Sequence, residues 1–251
     1  MLTFAVLVLL FGVCLLVACL TAVLLKVGEL RERRIVEGTP TIAVGELRGG
    51  ESRVAVVGTT AFGPGGPVVG PVSGEECAWF RVWLTRSPSR RADEDGGEDV
   101  LLDVASPTPP ALVDRSGAVL IDPGLLAEPP NLNDPVATEQ VLRLLHGGSA
   151  ADWPSLIPRG LLEDKRSHES VQLKEVRLPV GRVVYVVAGV GRGPVALRRT
   201  RHYSVLTTDD AAAVLRRTRE RAASSGQLAR ALGVAGTVVT AVSAVAIFLL
   251  V

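Results

Sequence analysis

Residues 171–188 read VQLKEVRLPVGRVVYVVA. Two runs rich in Val and Leu, Val171–Leu178 and Arg182–Ala188, flank the tripeptide Pro179-Val180-Gly181. Proline stops a ladder, and glycine supplies the positive φ that a tight turn needs, so the segment reads as two strands linked by a turn. Outward from it the same punctuation recurs. Short Val, Ile and Leu runs bounded by Gly and Pro predict strands at Thr41–Leu47, Arg53–Thr59, Ala78–Thr85, Val100–Val104, Ala111–Val113, Ala118–Ile121, Pro194–Arg199 and His202–Leu206. Asp114-Arg115-Ser116-Gly117 joins two of these as a hairpin. Strands on this spacing without regular intervening helices predict a mainly β domain, α+β overall. An antiparallel β-barrel or sandwich is expected rather than a βαβ fold. Two helices are expected beside it. One is Thr138–His146, with Val141, Leu142, Leu144 and Leu145 as its apolar face; the other starts near Thr208, with Asp209 and Asp210 in its first turn. The latter runs toward Ala223 and is expected to break near Ser225-Gly226. Ser87–Asp99 reads as a solvated hairpin tip and Ala127–Pro135 as an extended linker.

Both ends of the chain differ in kind. Residues 2–25, LTFAVLVLLFGVCLLVACLTAVLL, and 231–251, ALGVAGTVVTAVSAVAIFLLV, carry no charged side chain. About 20 apolar residues in a helix span a bilayer core, and neither run has the polar stripe of a globular core helix. The layout is therefore a transmembrane helix over 1–26 that continues as helix to about Arg34 and breaks near Gly38-Thr39-Pro40, and a β-rich domain over 38–207. A juxtamembrane amphipathic helix over 208–225 and a second transmembrane helix over 228–251 follow. A signal peptide is disfavoured by the missing basic n-region, and a lipobox reading of Leu16-Val17-Ala18-Cys19 by the apolar run that continues to Leu25. Lys26, Arg31, Arg33 and Arg34 follow the first span, and Arg216, Arg217, Arg219, Arg221 and Arg230 precede the second. The positive-inside rule puts the central domain in the cytoplasm and both termini outside, on the plasma membrane if the source is prokaryotic. Small residues at four-residue spacing (Gly236, Thr240, Ala244; Cys14, Ala18, Ala22) allow the two spans to pack on each other.

Candidate chemistry is sparse. A net charge of +1 makes no case for nucleic acid as a ligand. His146, His168 and His202 are far apart and at no metal-ligand spacing. Only Cys77 of the three cysteines lies outside the apolar runs, which removes an intradomain disulfide and any multi-cysteine zinc site. Neighbouring carboxylates in Ser73-Gly74-Glu75-Glu76-Cys77 oppose thiolate formation, so Cys77 reads as a core residue. There is no GxSxG elbow. Gly63-Pro64-Gly65-Gly66-Pro67 and Gly189-Val190-Gly191-Arg192-Gly193 precede no helix and read as loops, not phosphate cradles. No cofactor is implied.

Three segments carry a resemblance: Val69-Gly70-Pro71-Val72-Ser73-Gly74-Glu75-Glu76-Cys77-Ala78-Trp79-Phe80-Arg81-Val82, then Ala111–Pro123 (ALVDRSGAVLIDP), then Leu178–Val186 (LPVGRVVYV). In this order, between two apolar ends, they resemble the GIDE or beside-a-membrane domain of the mitochondrial ubiquitin ligase activator family and its prokaryotic relatives. The pattern residues that match are Gly74, Cys77, Gly117, Asp122, Pro123 and Gly181. The resemblance implies structural roles for them: glycines for turns, Cys77 for the core, Asp122-Pro123 to end a strand. None is implied as catalytic, cofactor-binding or metal-ligating. Ligases of that family carry a two-zinc RING domain after the second span, and its ligand set is not in these 251 residues. The expected function is a non-enzymatic scaffold, adaptor or sensor at the membrane surface. Its partners would be the bilayer and a membrane or cytoplasmic protein, bound through a strand edge or groove. The alternative is a component of a ubiquitin-transferase-like system whose RING is supplied by another chain. A structural subunit of a membrane complex is a third reading.

Overall fold

The computed structural model describes residues 2–90, 97–126, 137–144, 155–162, 166, 168–193, 195–201 and 203–250. The linker expected at Ala127–Pro135, the tip of the 87–99 loop, and His146 and His202 lie outside the described residues. Two compact units result. One is the helix pair and the other is Thr39–Asp210.

In the first unit, α1 (Leu2–Gly38) and α2 (Ala211–Leu250) pack antiparallel. A Cβ on Gly12 would lie 2.5 Å from Thr240 Oγ1, and one on Gly236 would lie 3.1 Å from Leu16. Cys19 Sγ donates to the Ala229 carbonyl at 3.2 Å, and Arg219 bonds Glu37 at 2.9 Å. Positions rising along α1 thus meet positions falling along α2. Glycines here let the backbones close, as in membrane helix pairs. The seam runs through Gly12, Cys19 and buried Ala22, whereas Cys14, expected on it, is exposed. α1 is long and apolar enough to cross a bilayer: Leu10–Gly38 contains a window of mean hydropathy 2.6 of which only 11% is buried. α2 carries a shorter apolar stretch, Ala229–Val242. Outward side chains such as Leu25, 66% exposed, and Val234, 67% exposed, have no protein to cover them in this unit.

The expected break at Ser225-Gly226 does not occur, and α2 is one helix. An interior glycine costs a helix only about 1 kcal/mol relative to alanine. Here Gly226 lies against the Lys26 side chain of α1, a Cβ on it falling 3.0 Å from Nζ.

The second unit holds β1 (Val54–Ala61), β2 (Val68–Val69), β3 (Glu76–Cys77), β4 (Trp79–Ser87), β5 (Asp99–Ala105), β6 (Ala111–Val113) and β7 (Ala118–Ile121). After these come β8 (Glu139–Leu144), β9 (Ser170–Leu178), β10 (Val183–Val190), β11 (Ala196–Arg198) and β12 (Val205–Thr207). Five strands close a barrel in the order β1-β6-β7-β11-β10 and back to β1, with β12 added beside β10. All its pairings are antiparallel except β7 with β11, where Leu120 faces Ala196 and Ile121 faces Leu197 in parallel. The barrel is therefore mixed, not the fully antiparallel one expected. Counting only barrel strands, the order is 1-2-3-5-4-1, a Greek-key barrel of the OB type. Its interior follows from period-two alternation along β10. Val184, Val186, Ala188 and Val190 join Val54, Val56, Leu112, Val119, Ile121 and Leu197 in one core. Burying Leu112, Ile121 or Leu197 fully contributes about 1.5–3 kcal/mol each.

The second sheet, β5-β4-β9-β8, is antiparallel throughout. Val82, Leu84, Val171 and Leu173 form its own core with Val72 and Ile157, while Trp79 and Leu178 reach into the barrel core. The Pro179–Gly181 turn joins the two sheets and does not close a hairpin: β9 pairs with β4 and β8, β10 with β1, β11 and β12, because each strand finds its ladder in a different sheet. Gly181 has φ +82°, and buried Thr60 clamps the turn, its hydroxyl donating to the Pro179 carbonyl at 2.7 Å and accepting the Arg182 N–H at 3.0 Å.

Two expected elements differ. Glu139–Leu144 is a strand, not the start of a helix: Val141 faces Glu175 and Leu142 faces Lys174 on β9. Val141 packs on the second core while Leu142 is 62% exposed, a period-two pattern imposed by the open edge of β9. Thr41–Leu47 is not a strand. It makes one bridge, Thr41 to Ala55, and then a 3-10 turn over Val44–Glu46, because side chains take its amides: Asp114 Oδ2 accepts Val44 N–H at 2.8 Å and Ser116 Oγ accepts Gly45 N–H at 2.7 Å.

Candidate binding site

A cleft of about 380 Å³ lies at one end of the barrel, within the range of small-ligand sites. Three pieces of chain build it. The first is the end of β7, which contributes Leu120, Asp122 and Pro123. Asp122 ends the strand by capping a 3-10 turn over Pro123–Leu125, its Oδ1 accepting Gly124 N–H at 2.7 Å. The second is the β10–β11 turn, Gly191-Arg192-Gly193, closed by Gly191 N–H to the Ala196 carbonyl at 3.0 Å. The third is β11 itself, which contributes Ala196 and Arg198, and Pro109 completes the lining. The parallel β7–β11 pairing brings these together, reinforced by Asp122 N–H to the Leu197 carbonyl at 2.8 Å.

Of the six pattern residues, only Asp122 and Pro123 reach this cleft. Gly117 sits in the β6–β7 turn, where its N–H donates to Asp114 Oδ1 at 3.0 Å. Asp114 also accepts the Ser116 hydroxyl and the Val44 and Ser116 amides, and these bonds hold its carboxyl down at about 2. Gly181 is in the β9–β10 turn. Gly74, φ +73°, lies in the β2–β3 loop, and Cys77 is fully buried opposite Val68. Burial first, and the Glu175 carboxylate second, push the Cys77 thiol up, away from thiolate chemistry.

Glu175 is a feature that sequence reading did not single out. It is fully buried on β9, and its Oε2 accepts Val72 N–H at 2.7 Å and Ser73 N–H at 3.4 Å. Its Oε1 has no hydrogen-bond partner among the described residues. A Cβ on Gly70 would lie 2.6 Å from that oxygen, which explains glycine at the start of the loop. The Gly70–Cys77 motif thus folds around a buried carboxylate. No group of three or more His, Cys, Asp or Glu placed to hold a metal ion occurs among the described residues.

The sheet edges offer a second kind of surface. On β5, Leu84 faces Leu102 but Thr85 faces Val100, so Leu101 is an extra, bulged residue. Bulges of this kind twist an edge away from strand addition, which favours the cleft over the β5 edge as a recognition surface. Arg192 and Arg198 were legible only as loop and strand residues; the signal available was an arginine inside a glycine-rich turn. No family model, curated protein or solved structure matches this chain.

Proposed function

We propose that the protein is a membrane-anchored binding module, acting as a scaffold, adaptor or sensor through the barrel cleft without chemistry of its own. One observation carries the reading: a domain with a formed cleft is continuous in sequence with a helix pair whose outward face is apolar and uncovered. The cleft is lined by proline, glycine, alanine, leucine, one aspartate and two arginines, a set suited to holding a ligand rather than attacking one. The resemblance to the GIDE domain supports the same layout. Two antiparallel spans with termini on one side, and the domain on the cytoplasmic side, are part of this proposal; the arginines of α2 ahead of Ala229 support it.

The test combines extraction, topology and crosslinking. The chain is expected to stay in the membrane pellet after carbonate washing, and a phosphatase reporter fused after Val251 is expected to be active outside the cell. Ala196→Trp, which fills the cleft, is expected to remove a discrete crosslinked neighbour. Release of the chain by carbonate overturns the anchor, and an unchanged crosslinking pattern in Ala196→Trp moves recognition off the cleft. The GIDE resemblance also carries the alternative of a ubiquitin-transferase-like component served by a separate RING chain. Ubiquitin transfer that depends on both chains in vitro would favour that reading.

A further inference from the structure

Several arginines of this domain are held by carboxylates, and among the described residues the two arginines of the cleft are not. Arg81 is held by Asp103, Arg86 by Asp99, Arg90 by Glu169, and Arg177 by Glu75 and Glu139. Arg192 and Arg198 line one cavity, and among the described residues no carboxylate pairs with either. The cavity's acidic side chain, Asp122, already accepts the Gly124 amide. The lining therefore carries two positive charges against one negative. The rest of the lining is apolar or lacks a side chain altogether: Leu120, Pro109, Pro123 and Ala196, with Gly191 and Gly193.

We propose that this cleft binds a phosphate monoester bearing an apolar substituent, with the phosphate on Arg192 and Arg198 and the substituent against Leu120 and Pro109. The inference rests on the binding-module reading and names its ligand class. Guanidinium is a planar fork of donors matched to phosphate oxygens, and two forks suit a dianion with three acceptor oxygens, where a carboxylate would need only one. Glycine at 191 and 193 lets a bulky head approach the turn backbone. A lipid headgroup and a soluble phosphate ester share this chemistry.

The experiment is calorimetric titration of the full chain in nonionic detergent at low salt with inorganic phosphate, butyl phosphate, dihexanoyl phosphatidic acid and butanol. Butyl phosphate is expected to bind at least about tenfold more tightly than inorganic phosphate. Arg192→Gln and Arg198→Gln should each weaken it about tenfold, while Arg115→Gln, the same charge change on the β6–β7 turn, leaves it unchanged. Tighter binding of the phosphatidic acid than of butyl phosphate assigns the site to a lipid headgroup; equal binding assigns it to a soluble ester. Binding of butyl phosphate within twofold of wild type in the double arginine variant overturns the proposal, as does no binding by any phosphate probe at millimolar concentration. Should butanol bind as well as butyl phosphate, and Ala196→Trp abolish both, the phosphate assignment falls while the cleft remains a binding site.

Discussion

Asp114 shows how one side chain decides local structure. Its two oxygens collect the amides of Val44, Ser116 and Gly117 and the Ser116 hydroxyl, tying the β6–β7 hairpin to the segment that leads into β1. These bonds favour the ionised form, so the folded carboxyl titrates at about 2 against an ordinary value near 4. A depressed folded value adds stability that is complete above the unfolded value and is lost as pH falls through the folded one. The thermal denaturation midpoint of the full chain in detergent is expected to fall as pH drops from about 4 to about 2, and Asp114→Asn to flatten that slope. Glu169, held at about 2 by Arg90 first and the Arg166 amide, acts in the same window, so the slope is reduced rather than abolished. A slope unaltered in Asp114→Asn would mean that the hub is not formed. Gly70 gives a steric counterpart. Gly70→Ala puts a methyl 2.5 Å from Ser73 Oγ and 2.6 Å from Glu175 Oε1, and is expected to cost about 1–3 kcal/mol, read as a lowered denaturation midpoint.

At the scale of elements, β8 is the informative case. Its sequence, Glu139–Leu144, has consecutive apolar residues that suit a helix face as well as a strand, and periodicity over six residues cannot separate the two. The structure separates them by side. Val141 packs on the second core and Leu142 faces out, whereas a helix would place both toward one apolar stripe. Val141→Asp is expected to destabilise the domain by about 1–3 kcal/mol, and Leu142→Asp to stay within about 0.5 kcal/mol, by chemical denaturation. Equal losses would restore the helix. The neighbouring 3-10 turn at Val44–Glu46 makes the same point from the other direction, since its β-like composition is overruled by two side-chain acceptors from a hairpin some 70 positions away.

For the molecule as a whole, Thr39–Asp210 forms its own compact unit with two cores joined through Trp79 and Leu178. A segment of that length buries enough apolar surface to fold alone. Expressed without the helices, it is expected to be soluble, monomeric and dominated by the circular dichroism of strand. A helix-dominated spectrum, or failure to dissolve under any condition, would mean that the domain depends on the helices for its fold.

Local chemistry settled much of this protein in advance. The apolar ends, the hairpin at Asp114–Gly117, the turn at Pro179–Gly181 and most strand positions were legible, because turn residues, charge-free runs and β-branched composition act over a few residues. Tertiary structure alone decided the rest. The parallel β7–β11 pairing, the strand fate of 139–144, the unbroken α2 and the meeting of Asp122 with Arg192 and Arg198 in one cleft each depend on a partner far away in the chain. A sheet edge, a helix flank or a second arginine supplies the deciding energy, and local sequence carries no record of which distant group will arrive.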